Sequence, residues 1–312
     1  MYIPSYPHSF CLNGQSPLQT LTNQQFIIQS HQYTLIKKIN SGSFGTVYAA
    51  VNEDGRRAAV KVFNIGGCTS TVEPLELQHS ILKEIKIAYK MRRDHENVVT
   101  IYGFDFNPHL GIAMIAMELG MDNLTTLAQR YHSLKQQRRN IRATFGADYR
   151  KSGDYIGSIE RKIIWKELVK ILEGLFRHNI IHRDLKPDNI VQFENPSIPL
   201  DLKIVDLGIA QNAYERQIGT PMGTQYYSAP ECLEIYHITF KADIWSAGAI
   251  LYFITYGIPP LSMSSRPPPN IPPNIPPTRD RAVADIMYRC LQMDPHRRPD
   301  VKWLANHPYT LY

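Results

Sequence analysis

The sequence predicts an α+β chain in two parts: a small antiparallel β-sheet lobe with one main helix, then a larger, mostly helical lobe. Three observations predict it. Up to about Leu119 the chain consists of short β-branched or aromatic segments separated by glycine or charged turns. Beyond that point apolar residues take helical spacing, as at Ile164, Leu168, Leu172 and Leu175. After that helical stretch comes HRDLKPDN, His182 to Asn189, which sets a carboxylate, an ammonium and an amide at fixed offsets in one polar loop. The 312 residues suffice for two lobes with buried cores, and 43% hydrophobic with 20% charged residues is a globular composition. No apolar run approaches the ~20 residues of a membrane span.

Residues 1–32 are rich in Gln, Asn, Ser and Pro without periodicity, and read as a disordered extension. The opening MYIPSYPHSF has neither a basic start nor a sustained apolar stretch, so it does not read as a secretory signal, which makes cytoplasm or nucleus the default location. The small lobe and its hinge occupy 33–120. Tyr33 to Ile39, Thr46 to Val51 and Ala58 to Phe63 read as strands of a meander, with Glu53-Asp54-Gly55 as one turn. A helix is predicted from Pro74, whose fixed φ suits a first turn, to about Met91. Strands near Val98 to Phe104 and Ile112 to Leu119 complete the sheet. The large lobe occupies 121–312, and its helix from Ile159 to Asn179 leads into the polar loop.

Two irregular stretches interrupt that lobe. About 135–158, including RRNIRATFGADYRKSGDYIGS, reads as a basic insertion without a core of its own, a mobile loop whose amides exchange quickly. Residues 266–277, RPPPNIPPNIPP, carry seven prolines and exclude an α-helix in favour of an extended path. Arg266, Pro269 and Pro272 also fit an SH3-domain ligand, with a stiff connector as the alternative. The net charge of +6 is partly local: Arg130, Lys135, Arg138, Arg139, Arg142, Arg150 and Lys151 fall in one stretch. Such a cluster suits a phosphorylated partner or nucleic acid, or is a solvated insertion. Aromatics do not interleave with it as base stacking requires, so there is no strong nucleic-acid signal. The four cysteines contain no Cys-x-x-Cys pair, which argues against a disulfide framework or a zinc site.

Between the first two strands, Ile39 is followed by NSGSFGTV: Asn40, Ser41, Gly42, Ser43, Phe44, Gly45, Thr46 and Val47. Small residues here let backbone N–H groups approach phosphate oxygens. Lys61 lies in the apolar strand AAVKVF. Glu84 falls on one helical stripe with Leu77, Ile81, Ala88 and Met91, and a carboxylate on a buried face needs a cation. Lys61 is the natural partner; Glu76 is the alternative acid.

HRDLKPDN, followed by DLG at Asp206 to Gly208 and by SAPE at Ser228 to Glu231, resembles the eukaryotic protein-kinase superfamily, serine/threonine type, over about residues 33–312. The resemblance implies the bilobal kinase fold, Mg-ATP as cofactor and protein substrates, with Ser and Thr as acceptors. It implies that Asp184 takes the acceptor proton, that Lys186 offsets charge on the γ-phosphate, and that Asn189 and Asp206 hold Mg²⁺. It implies a Lys61–Glu84 ion pair aligning the α- and β-phosphates. Ala59 and Val47 would pack on the base, Met117 would be the gatekeeper, and Glu118, Leu119 and Gly120 the hinge. Asn40 stands where the family's first glycine is, and Leu207 where its phenylalanine is. Thr224 would bond the catalytic Asp and Lys, and Thr220 matches a common phosphorylation site, whose phosphate would pair with Arg183. Glu231 with Arg298, and Asp243 bracing the catalytic loop, would be structural. The family's substrate-docking helix would be shortened or displaced by the proline-rich stretch. KADIWSAGAILYFITYG, VDLGIAQN, AMELGMDNL and LANHPY further resemble monopolar-spindle (TTK-like) dual-specificity kinases, which implies Tyr as an additional acceptor and a mitotic-checkpoint-like role. A pseudokinase scaffold binding nucleotide or partners without catalysis is the competing reading, and an adaptor acting through the basic and proline-rich segments could coexist with either.

Overall fold

The computed structural model describes residues 21–42, 45–65, 74–92, 97–107, 109–144, 154–212, 226–233, 238–260, 273–278 and 280–312. The chain divides into two compact units, one of residues 1–89 and 99–119, the other of 90–98 and 120–312.

In the first unit the strands are β1 (Gln25–Ile28), β2 (His31–Gly42), β3 (Gly45–Asn52), β4 (Arg57–Asn64), β5 (Ile101–Asn107) and β6 (Ile112–Met117), with helix α1 (Pro74–Arg92) between β4 and β5. They form one antiparallel sheet in the order β1-β2-β3-β4-β6-β5. Six consecutive residues of both β4 and β6 are buried, because both faces of the central strands are covered. One face carries a core of Leu21, Phe26, Ile28, Tyr33, Leu35, Tyr48, Ala50, Ala58, Val60, Val62, Ile112, Met114 and Ala116. Within this unit, Ile81, Glu84, Ile85 and Ala88 of α1 are buried.

β1 corrects the expectation of disorder through residue 32. Gln25-Phe26-Ile27-Ile28 alternates exposed and buried, which is the period of a strand with one face on a core. Gln29 and Ser30 take positive φ of 48° and 71° in the tight turn that returns the chain to β2. The Gln-rich composition around these two apolar side chains hides them from a compositional reading.

The second unit contains α2 (Leu124–Thr144), α3 (Ser158–Arg177), β7 (Ile180–Ile181), a 3₁₀ turn (Pro187–Asn189), β8 (Ile190–Phe193), β9 (Asp201–Ile204) and β10 (Gln211–Asn212). Then follow α4 (Pro230–Leu233), α5 (Lys241–Tyr256), α6 (Arg281–Cys290), α7 (Val301–Asn306) and α8 (Pro308–Leu311). α5 is buried all round from Ala242 to Thr255, as its apolar sequence requires of a central helix. At Gly248 an added Cβ would lie 2.5 Å from the Cys290 Cβ, so glycine sets how closely α6 approaches. α3 buries Ile164, Trp165, Leu168, Ile171, Leu172 and Leu175, and delivers the chain into β7 and the polar loop.

The insertion expected over 135–158 is helical to Thr144, since residues 135–144 contain strong helix formers and no Gly or Pro. Its far end is packed as well: Ile156 is fully buried, Lys135 Nζ donates to the carbonyls of Ile156 (3.1 Å) and Asp154, and the His132 and Tyr155 rings stack at 4.2 Å. Residues 145–153 lie outside the described residues. Of the proline-rich stretch, Pro273 to Thr278 form neither helix nor strand, and the Tyr252 and Tyr256 hydroxyls donate to the Asn274 and Pro276 carbonyls at 3.3 and 2.6 Å. Residues 266–272, with the SH3-type pattern, lie outside the described residues. No helix among the described residues is long and apolar enough to cross a membrane.

Candidate active site

In the first unit, β2 and β3 meet in a hairpin that pairs Asn40 with Val47, Ser41 with Thr46 and Gly42 with Gly45. Ile39 stands exposed beside it, and Ser43 and Phe44 lie outside the described residues. Asn40 Oδ1 accepts the Ser41 N–H at 2.8 Å, a local bond open to asparagine and not to glycine. Gly45 has φ 145°, and an added Cβ would lie 2.6 Å from the Val62 carbonyl oxygen. Strand β4, paired beside β3, therefore comes so close to the end of the hairpin that only glycine fits there.

Lys61, in β4, is paired with Val47 on one side and Ile115 on the other. Its Nζ donates to both carboxylate oxygens of Glu84, each at 3.0 Å, with the two residues 7% and 5% exposed. At that burial each charge needs the other, because desolvating an unpaired ion is costly. Of the two acids considered in α1, Glu84 is the one bonded to Lys61; the Glu76 side chain lies outside the described residues. Ala59 is opposite Met117 across β4 and β6. Glu118 is tied to Thr100 twice: its N–H donates to the Thr100 carbonyl at 2.9 Å, and its carboxylate accepts the Thr100 N–H at 2.6 Å.

In the second unit, β7 runs into the polar loop, and Arg183 takes a φ of 69°. The turn is held from α5. Asp243, 2% exposed, accepts the N–H of His182 at 2.8 Å and that of Arg183 at 3.0 Å. Burial pushes the Asp243 carboxyl up to about 7, against the pull of those two N–H groups and of the Arg183 charge. Burial pushes the His182 imidazole down, so the ring is neutral and its Nδ1 accepts the Asp184 N–H at 3.3 Å.

Around Asp184 the contacts are dense. Lys186 Nζ donates to its Oδ2 at 2.7 Å, and Asn189 Nδ2 donates to its carbonyl at 2.9 Å and to Oδ2 at 3.1 Å. Asn189 sits in the 3₁₀ turn, where its own carbonyl accepts the Val205 N–H at 2.9 Å, next to Asp206. Asp206 takes a positive φ of 62°, and Leu207 after it is 1% exposed. Gly120, in the second unit, has Val191 so close that an added Cβ would meet its Cγ1 at 2.2 Å. Arg298 makes a two-pronged pair with Glu231 at 2.5 and 2.9 Å, is 2% exposed, and lies 5.0 Å over the Trp245 ring. Thr220 and Thr224 lie outside the described residues.

One polar residue escaped the sequence reading. Gln211, in β10, lies opposite Ile181 of β7, and its Oε1 accepts from Arg183 Nη1 at 3.0 Å. No motif or periodicity marks it; only the β7–β10 pairing brings it to the loop.

The family model "Protein kinase domain" matches residues 33–310. Among curated proteins, the chain is 25% identical to "Dual specificity protein kinase TTK" of Mus musculus over 95% of its own length and 34% of that protein. It is 28% identical to "DNA damage response protein kinase DUN1" of Saccharomyces cerevisiae, over 89% of the chain and 55% of the relative. It is 25% identical to "Probable serine/threonine-protein kinase mps1" of Dictyostelium discoideum, over 91% and 28%. The chain thus spans between about a quarter and about half of the length of these relatives. With a match across nearly its whole length, and with the α+β architecture described above, the chain belongs to the protein kinase family.

Proposed function

We propose that this chain transfers the γ-phosphate of Mg-ATP to Ser and Thr hydroxyls of protein substrates, and to Tyr as a dual-specificity enzyme. The observation that carries the reading is the convergence of Lys186 and Asn189 on the Asp184 carboxylate, in a loop braced by Asp243. Asp184 orients the acceptor hydroxyl and takes its proton. Lys186, 2.7 Å from it, offsets negative charge on the transferred group. Lys61, fixed by Glu84, aligns the α- and β-phosphates; Met117, Ala59 and Val47 line the base, and the hairpin from Asn40 to Val47 covers the phosphates.

The residues present fit the cofactor on the chemistry of their donors. Asn189 donates through its Nδ2 to Asp184 and has its amide oxygen as a metal donor, and Asp206 would contribute a carboxylate. Two hard oxygen donors suit Mg²⁺, which takes its remaining ligands from phosphates and water. Accordingly, no cluster of three or more His, Cys, Asp or Glu among the described residues could hold a metal by itself. Bound Mg-ATP supplies the electrophilic phosphorus with its charge partly neutralised. Phosphate on Thr220, paired with Arg183, would order the activation segment.

Incubation with labelled ATP, Mg²⁺ and a basic protein acceptor tests the reading. Incorporation that disappears in Asp184→Ala supports it, and phosphoamino-acid analysis tells Ser and Thr from Tyr. Absence of incorporation by the parent chain would leave a nucleotide-binding scaffold as the better account.

A further inference from the structure

Two arginines are buried among the described residues of the second unit, and they hold their charges differently. Arg298 gives both arms to one carboxylate, that of Glu231. Arg161, in α3 and 0% exposed, is divided among three segments. Its Nη1 lies 2.9 Å from Asp154 Oδ2, its Nη2 lies 3.5 Å from Asp280 Oδ2, and its Nε donates to the Tyr309 hydroxyl at 3.3 Å. The Nη1 contact is an ion pair out of line for a hydrogen bond, and the Nη2 contact is long. One cation thus faces two carboxylates, and neither receives the short, two-pronged bond that Glu231 receives from Arg298.

The two acids belong to different stretches. Asp154 lies near the end of the basic insertion: its carbonyl, like that of Ile156, accepts from Lys135 Nζ, and Tyr155 beside it donates its N–H to the Thr255 carbonyl at 2.6 Å. Asp280 follows the proline-rich stretch, and its Oδ1 caps α6 by accepting the N–H groups of Ala282 and Val283 at 3.1 and 3.3 Å. Thr278 touches both, donating through Oγ1 to Asp154 Oδ1 at 3.4 Å and accepting the Asp280 N–H at 3.3 Å. The acid side chains, 14% and 29% exposed, can turn to water, whereas the guanidinium, at 1%, cannot. A full pairing with one acid therefore draws the cation from the other, and the two carboxylates repel each other across it. We infer that Arg161 is a shared cation for which the end of the basic insertion and the exit of the proline-rich stretch compete, so that anchoring one releases the other. A partner bound to either stretch then changes the hold on the other. The inference is independent of the phosphotransfer reading.

Amide hydrogen exchange in the full chain tests it at single residues. Tyr155 reports on the insertion, and Ala282 and Val283 on the proline-rich exit. Rates are taken relative to Leu127, whose N–H is bonded to the Asn123 carbonyl, which removes any change in general stability. Asp154→Asn keeps the size of the side chain and an acceptor for Thr278 but removes one charge. Exchange at Ala282 and Val283 is expected to slow by about fivefold, while exchange at Tyr155 speeds up. Asp280→Asn keeps the helix cap, since asparagine caps as well as aspartate, and is expected to slow Tyr155 by a similar factor. Arg161→Met removes the shared cation and should speed exchange at both ends by about tenfold. Faster or unchanged exchange at Ala282 and Val283 in Asp154→Asn, or at Tyr155 in Asp280→Asn, overturns the competition and leaves Arg161 as a fixed brace. Unchanged rates in Arg161→Met overturn it as well. If that variant fails to fold, the two asparagine variants, which keep the arginine, decide alone.

Discussion

The two units stabilise their buried charges in different ways. In the first, Lys61 and Glu84 sit on regular elements, a central strand and a helix, and neutralise each other through one two-pronged contact. In the second, Arg183 and Asp184 sit in an irregular loop, tied by main-chain N–H groups to Asp243 of α5 and by side-chain bonds to Gln211, Lys186 and Asn189. A pair on rigid supports fails as a unit when either member is removed. A network with several donors per acid loses function before it loses structure.

The largest effect should come from the network. Asp184→Asn keeps the size and most contacts of the side chain but removes the proposed base, so phosphate incorporation should fall by about 10² to 10⁴-fold. Denaturant midpoints should move little. A comparable loss of stability would mean that Asp184 is chiefly structural, and the contrast between the units would collapse.

Lys61→Met is the opposite case. It takes the Lys61 cation away from Glu84, which is 5% exposed, and should cost about 3–5 kcal/mol in urea unfolding, besides abolishing transfer. Adding Glu84→Leu should recover most of the stability and none of the activity. If the single variant were as stable as the parent, the pair could not be holding buried charge.

Inside the first unit, β1 offers a smaller test. Ile28 is 1% exposed in a core that begins at Leu21, so Ile28→Ala should cost about 2–5 kcal/mol. Ile27, 66% exposed one position earlier, should tolerate Ala with almost no change. Equal responses at the two positions would mean that the strand is not docked by alternation.

How much of this was legible in the sequence follows from the kind of signal each part carries. The helix from Pro74, the sheet strands and the α3 helix were readable because period and punctuation are local. The Lys61–Glu84 partnership was readable because a carboxylate on an apolar stripe is an anomaly that asks for a cation. β1 was missed because its two inward side chains are surrounded by Gln and Ser. The continuation of α2 past residue 135 was missed because its residues show helix propensity without an apolar stripe. Gln211 was missed for a third reason: its partner Arg183 is remote in sequence, and the β7–β10 ladder that brings them together is only two residues long on each side.

The smallest effect concerns pH and again separates the units, since it depends on a carboxyl held by N–H groups rather than by a matched cation. Burial raises Asp243 from 3.8 to about 7. Between those values the folded chain keeps a proton that the unfolded chain releases, so this group's contribution to stability is complete below about pH 4 and is lost as pH rises through 7, by up to ~1.4 kcal/mol per pH unit. Catalysis should run the other way. The ionised carboxylate accepts both the His182 and the Arg183 N–H, and protonation weakens one of those acceptors, loosening the loop. Of the groups around it, Arg183 keeps its charge, burial pushes the His182 imidazole down and the Cys232 thiol up to about 12, so the limb near 7 is assigned to Asp243. Turnover should therefore show an acid limb near pH 7 that is absent, at lower overall activity, in Asp243→Asn. An identical limb in that variant would assign the titration to another group and leave Asp243 ionised throughout.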